Sequence, residues 1–189
     1  MNIFKTNACP IQSAIDLPNK LIIKMPTESS QLIATAFTLE QLASPDCPRN
    51  KDGSVRRHFN PKHGSAIYTR NSVGNFLWVL NHGLALCEEY QRRYNKRHFN
   101  HDFLIWAHRN SGSISFSNIN EEPLYLAMPD KYKSYPQDWM CYRAYINGEK
   151  TYCKWPSIDK IPIWFHTRSN DYVDKTFING IYAKRPNHS

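Results

Sequence analysis

Glu28 stands four residues after Lys24, in the segment that runs from Asn19 to Leu32. On a continuous helix Lys20, Lys24, Glu28 and Gln31 share one face. A carboxylate held beside an amine can carry Schiff-base or glycosidic chemistry. The amine attacks a sugar carbon, and the carboxylate steadies the positive charge that develops there. The same spacing is also that of an ordinary surface ion pair, worth about 0.2–0.5 kcal/mol. The motif by itself leaves both readings open.

The elements that must hold this face are mainly helical. Pro10–Asp16 reads as one or two helical turns with proline at the first position. Lys20–Leu42 reads as one long helix, kinked or interrupted at Pro26, with Leu32, Ile33, Ala36, Phe37 and Leu39 at helical spacing. Pro45, Pro48, Gly53 and Pro61 make Ser44–Gly64 a loop. The strongest helical signal follows. Ser72 is a candidate N-cap, and Phe76, Val79, Leu80, Gly83, Leu84, Leu86, Cys87 and Tyr90 form an apolar stripe that ends near Tyr94. Phe103–His108 is a shorter apolar piece, and Asn110–Asn120 is a Ser/Asn/Gly loop. Gln137–Lys154 predicts another amphipathic helix, bent at Gly148. Strand signals are few. The expectation is a mainly α protein: a single compact helical domain over residues 1–165, with long loops, and a polar C-terminal extension over 166–189 that is not expected to be well ordered.

The chain has 189 residues with 24 Lys and Arg against 16 Asp and Glu, a net charge of +8. One small domain with that excess suits a polyanion, nucleic acid before membrane. The positions matter more than the sum. Arg49, Lys51, Arg56, Arg57, His58, Lys62 and His63 crowd the first loop against one acid, Asp52. Arg92, Arg93, Lys96, Arg97 and His98 close the strongest helix, where they also suit its dipole. Lys131, Lys133, Arg143, Lys150 and Lys154 make a third basic region. The five cysteines are an odd number without a C-x-x-C pair. Neither a disulfide framework nor a zinc spacing is visible, which favours a reducing compartment. No tight His/Glu ligand spacing, phosphate-cradling glycine loop or nucleophile elbow occurs, so no metal or cofactor is called for. No apolar run approaches a membrane span. The expectation is a soluble cytoplasmic protein of unknown oligomeric state.

Asn2-Ile3-Phe4, Lys24-Met25-Pro26, Glu28 and Gln31 open a longer pattern. It continues through His63, Arg70, Asn75, Trp78, His82, Glu89, Tyr90, Arg93, Tyr94, Lys96 and His98. It closes with Ala127-Met128-Pro129-Asp130, Tyr132-Lys133, Tyr142-Arg143, Tyr145, Gly148-Glu149-Lys150, Lys154-Trp155, Pro162 and Trp164-Phe165. In these residues, over roughly 2–165, the chain resembles a family of small phage-encoded proteins commonly labelled pyrimidine-dimer DNA glycosylases of the endonuclease V type. The resemblance implies a helical DNA-directed enzyme in the host-cell cytoplasm, with Glu28 at the catalytic glutamate position. Two departures stand out. The family's histidine position, seven residues earlier, is Leu21 here. The family's nucleophile is a processed terminal amine, whereas Met1 before the bulky Asn2 is a poor substrate for methionine removal. The amine would then be that of Met1 or of a lysine.

The sequence therefore predicts a DNA glycosylase, with or without a lyase step, that excises a damaged or modified pyrimidine. Base extrusion needs phosphate anchors and a ring or apolar wedge. Glu28 and Lys24 are the expected catalytic pair. Lys20, His63, Arg70, Asn75, Trp78 and His82 are expected at the substrate, although a lone helical histidine such as His82 is more often a core residue. Arg56, Arg57, Lys62, Arg92, Arg93, Lys96, Arg143 and Lys150 are expected on DNA phosphates. Two other classes stay open. One is a base-modifying transferase acting on a hypermodified phage base. The other is a non-catalytic DNA-binding or host-interaction protein in which the Lys24/Glu28 pair is only structural.

Overall fold

In the computed structural model, residues 1–178 and 181–182 are described. Among the described residues there are seven α-helices: α1 Pro10–Ile15, α2 Asn19–Ala34, α3 Leu39–Ala43, α4 Gly64–Asn71, α5 Val73–Tyr94, α6 His101–Arg109 and α7 Asp138–Glu149. Short 3-10 turns lie between them, and a two-residue antiparallel hairpin pairs β1 Phe177–Ile178 with β2 Ile181–Tyr182. The protein is mainly α and compact, as its apolar periodicity requires.

Helix α5 is the axis of the fold. Ser72 caps it by accepting the Asn75 N–H, and Asn95 ends it in the left-handed conformation. Both α1 and α2 pack along α5, and α4 and α6 close on it from the ends of the adjoining loops. The approach of α2 is close. A Cβ on Gly83 would lie 3.0 Å from Ser29 Cβ, so two small residues let the helices meet. Phe37, Phe76, Phe103 and Leu104, all nearly inaccessible, fill the space beneath. Burying each such side chain contributes about 1.5–3 kcal/mol.

Three boundaries differ from the sequence expectation. The long helix expected over 20–42 is two helices. The chain leaves α2 at Thr35, whose hydroxyl turns back to the Leu32 carbonyl at 2.7 Å. Thr38 and Gln41 then form a reciprocal capping box that starts α3. Pro26 lies inside α2 without ending it. Helix α4 emerges within eight residues that carry no apolar stripe, held at its start by His63 Nδ1 accepting the Ser65 N–H. Helix α7 stops at Glu149 rather than running to Lys154. Tyr132 packs against Gly148 there and donates its hydroxyl to Glu149.

Residues 166–178 of the expected C-terminal extension fold back onto the domain. The Trp155 N–H donates to the Tyr172 carbonyl at 2.8 Å, the Asp174 N–H returns to the Trp155 carbonyl, and Asn19 donates to Asp174. The rest of the extension, apart from 181–182, lies outside the described residues. Among the described residues no helix is long and apolar enough to cross a membrane.

Candidate active site around Glu28

Glu28 is 8% exposed, on a helix face that turns toward the start of the chain. Its Oε2 accepts the backbone N–H of Asn2 at 2.8 Å. Its Oε1 lies 2.8 Å from Lys24 Nζ. Asn2 is itself fixed at three points: its amide donates to the Ala127 carbonyl at 2.9 Å, and its Oδ1 accepts the Ile3 N–H and the Tyr142 hydroxyl. Tyr142 is fully buried on α7, so α2, α7 and the first residues of the chain converge on one carboxylate.

Amines and rings surround that carboxylate. His63 lies within electrostatic reach of both Glu28 and the amino group of Met1. Burial lowers the His63 pKa, and the Met1 amine adds to the shift while Glu28 opposes it, so the ring is neutral at neutral pH. The Tyr125 ring stands edge-on to His63 with centroids 5.7 Å apart. Gly64 makes room for that tyrosine, because any Cβ there would run into the Tyr125 ring. On the other side Lys20 Nζ sits 4.5 Å above the Tyr152 ring. Burial, with a smaller push from neighbours that include Glu28, raises the Tyr152 phenol to about 12. Lys150 donates to the Tyr145 hydroxyl at 2.8 Å, 4.3 Å above the ring of the same residue.

Of the expected catalytic and substrate residues, the structure thus sets Lys24 and His63 about Glu28, with Lys20 on the Tyr152 ring nearby. The other four have different tasks. Arg70 donates to the Pro61 carbonyl at 2.7 Å and ties down the loop before α4. Asn75 is completely buried, donating to the Tyr68 carbonyl and accepting the Glu122 N–H, so it braces α5 against the 118–122 segment. Trp78 donates its indole N–H to the Ala8 carbonyl. His82 is 1% exposed against the Trp78 ring. Asn75, Trp78 and His82, all buried, have no surface to offer a substrate.

The expected DNA contacts divide in the same way. Arg57, Lys62, Arg92 and Lys96 are exposed. Arg56 is buried, 4.2 Å above the Phe103 ring, and donates to the Pro48 carbonyl and Asn100. Arg93 is 4% exposed and spans Glu89, the Leu17 and Ile15 carbonyls and Asn19. Both are internal struts, because a desolvated guanidinium whose donors already serve the protein cannot also reach a phosphate. Arg143 is partly buried between Trp139 and Trp164 and donates to the Thr6 carbonyl. Lys150 is half-buried among the rings beside Tyr152.

Sequence reasoning missed Asn2 and Tyr152 beside the carboxylate and Tyr125 as the ring against His63. Asn2 and Glu28 are 26 residues apart, and no spacing rule links them. Among the described residues, no group of three or more His, Cys, Asp or Glu side chains stands where it could hold a metal ion. No family model, curated protein or solved structure matches the chain.

Proposed function

We propose that the protein is a DNA glycosylase, with a lyase step, that removes a damaged or modified pyrimidine. The observation that carries this reading is the Glu28 carboxylate held between a backbone N–H and the Lys24 amine in a basic, ring-lined surround. Cleavage of a glycosidic bond builds positive charge on the sugar, and a fixed carboxylate stabilises that charge.

The steps follow from the contacts. Lys24 Nζ gives a proton to Glu28 Oε1 across their 2.8 Å contact and becomes a nucleophile. Its lone pair forms a bond to C1′ as the glycosidic bond breaks. The base leaves with that electron pair and takes the proton that Glu28 received, which restores the carboxylate as charge builds on the sugar. The secondary ammonium then loses one of its two protons to Glu28, and O4′ takes that proton as the sugar ring opens, giving a protonated imine. Removal of a C2′ proton then expels the 3′ phosphate and cuts the strand. Water activated at Glu28 in place of the amine would release the base and leave the strand intact. The Tyr125 and Tyr152 rings provide faces for a base taken out of the helix, and exposed Arg57, Lys62 and Lys96 anchor phosphates without reading sequence.

The test is a panel of duplexes carrying individual lesions or modified pyrimidines, incubated with protein and then treated with hot alkali. Strand breaks that vanish in Glu28→Gln support the reading. A mass change in the DNA without breaks would make the protein a base-modifying transferase, and a gel shift with neither would make it a binder.

A further inference from the structure

Two cavities open on either side of the loop that contains Asn50, and the chemistry at Glu28 uses neither. The first, about 410 Å³, lies between Ser30 and Gln31 of α2 and the loop residues Arg57, His58 and Phe59. The second, about 440 Å³, lies between Thr27 of α2, Lys51, Tyr90 near the end of α5 and His98 and Phe99 in the segment that follows it. Asn50 belongs to the wall of both. Each has the size of a small-ligand pocket.

Their walls combine bare rings with cations. Phe59 is 55% exposed and Phe99 is 41% exposed, whereas the other described phenylalanines are buried or half-buried. Lys51 Nζ stands 5.7 Å from the Phe99 ring, and the Arg56 guanidinium stands 6.0 Å from it. Tyr90 and His98 meet edge to face at 4.9 Å in the second cavity. Among the described residues no carboxylate lines either cavity. Of the acids nearby, Asp52 accepts from the Ser54 N–H and hydroxyl, and Asp102 pairs with Arg97 of the second cavity and offsets its charge, which leaves Lys51 and Arg57 as cations without a carboxylate partner among the described residues.

Exposed rings flanked by cations, with no acid between them, suit a ligand that alternates flat apolar faces with negative charge. A single strand of nucleic acid is such a ligand, because its bases are free to stack on side chains while its phosphates meet the cations. An intact duplex keeps its base faces covered and offers these rings nothing. We propose that the two cavities hold two bases of one nucleic-acid strand, one on each side of Asn50, with Phe59 and Phe99 as stacking platforms. Arg57 and Lys51 lie against the intervening phosphates. The strand then crosses α2 at Gln31, which shares a helix face with Glu28 one turn away. This rests on the nucleic-acid reading above but not on the chemistry assigned to Glu28.

Fluorescence anisotropy with a short labelled single-stranded DNA, and with the same sequence as a closed duplex, tests the proposal. Phe59→Ala and Phe99→Ala change exposed side chains and should leave the circular-dichroism melt unchanged. Each should weaken single-strand binding about tenfold, and the double variant about a hundredfold. Phe99→Leu keeps apolar bulk but loses the flat face, so it too should weaken binding. Equal single-strand affinity for the wild type and the double variant would overturn the proposal, whatever the excision assay shows. Lost binding in the ring variants would uphold it even if no base is ever excised.

Discussion

The Lys24–Glu28 contact joins a side chain that is 64% exposed to one that is 11% exposed, 2.8 Å apart. A surface pair has both partners in water and contributes little. Here the carboxylate is held by the protein, on one side by the Asn2 N–H, while the amine remains open to a substrate. Glu28→Gln keeps the shape and an oxygen acceptor for Asn2 but removes the charge. Turnover should fall by about 10²–10⁴-fold, with DNA affinity and melting temperature close to wild type. A variant that turns over normally would remove Glu28 from the mechanism.

His82 predicts a specific pH dependence of stability. Burial pushes its pKa down from 6.5 to about 3, so the folded protein keeps the ring neutral. The unfolded chain takes up a proton near pH 6.5, and the stability that goes with the neutral ring is complete above that value. It is lost as pH falls from 6.5 toward 3, by up to about 1.4 kcal/mol per pH unit. Between pH 7 and pH 5 the wild type should lose about 2 kcal/mol more than His82→Leu. Urea denaturation at both pH values measures the difference, and parallel losses in the two proteins would contradict the assignment.

Arg93 should behave as a structural residue. Removing it strands Glu89 on its buried side and leaves two backbone carbonyls and Asn19 without their donor. Arg93→Ala should cost about 3–5 kcal/mol, seen as a lower denaturant midpoint. The salt dependence of DNA binding by whatever protein remains folded should not change.

The exposed cations should do the reverse. Removing one phosphate anchor lowers the slope of log K against log salt by about 0.9 on duplex DNA. Arg57→Ala and Lys96→Ala should each flatten that slope, weaken all sequences alike and leave the melting temperature within about 1 °C. A double variant with the wild-type slope would place the DNA on another face.

Much of the helical plan was legible in the sequence. Ser72 and the stripe from Phe76 to Tyr90 located α5 with its cap, and Pro10 marked the start of α1. The break after Ala34 was written in Thr38 and Gln41, a capping-box spacing inside what looked like one helix. Helix α4 was hidden because its eight residues, opened by Gly64, carry no stripe and follow a proline-rich loop. Charge in the sequence could not say which arginines face water. Arg56 and Arg57 are neighbours, yet one is buried against Phe103 and the other exposed. The spacing of Lys24 and Glu28 gave half of the candidate site. His63 was expected there from the resemblance, whereas Asn2, Tyr125 and Tyr152 reach the site only through tertiary packing, which local periodicity does not record.

Borohydride trapping tests the role of Lys24 and Glu28 most directly. The protein is incubated with duplexes carrying the lesion panel in the presence of borohydride, and any covalent adduct is digested and mapped by mass spectrometry. The expected result is an adduct on Lys24 that disappears in Lys24→Ala and falls at least tenfold in Glu28→Gln. An adduct on the terminal amine would keep Glu28 in place but move the nucleophile. Base release with no trapped adduct would replace the amine with water. Neither adduct nor base release on any substrate would contradict glycosylase chemistry at this site.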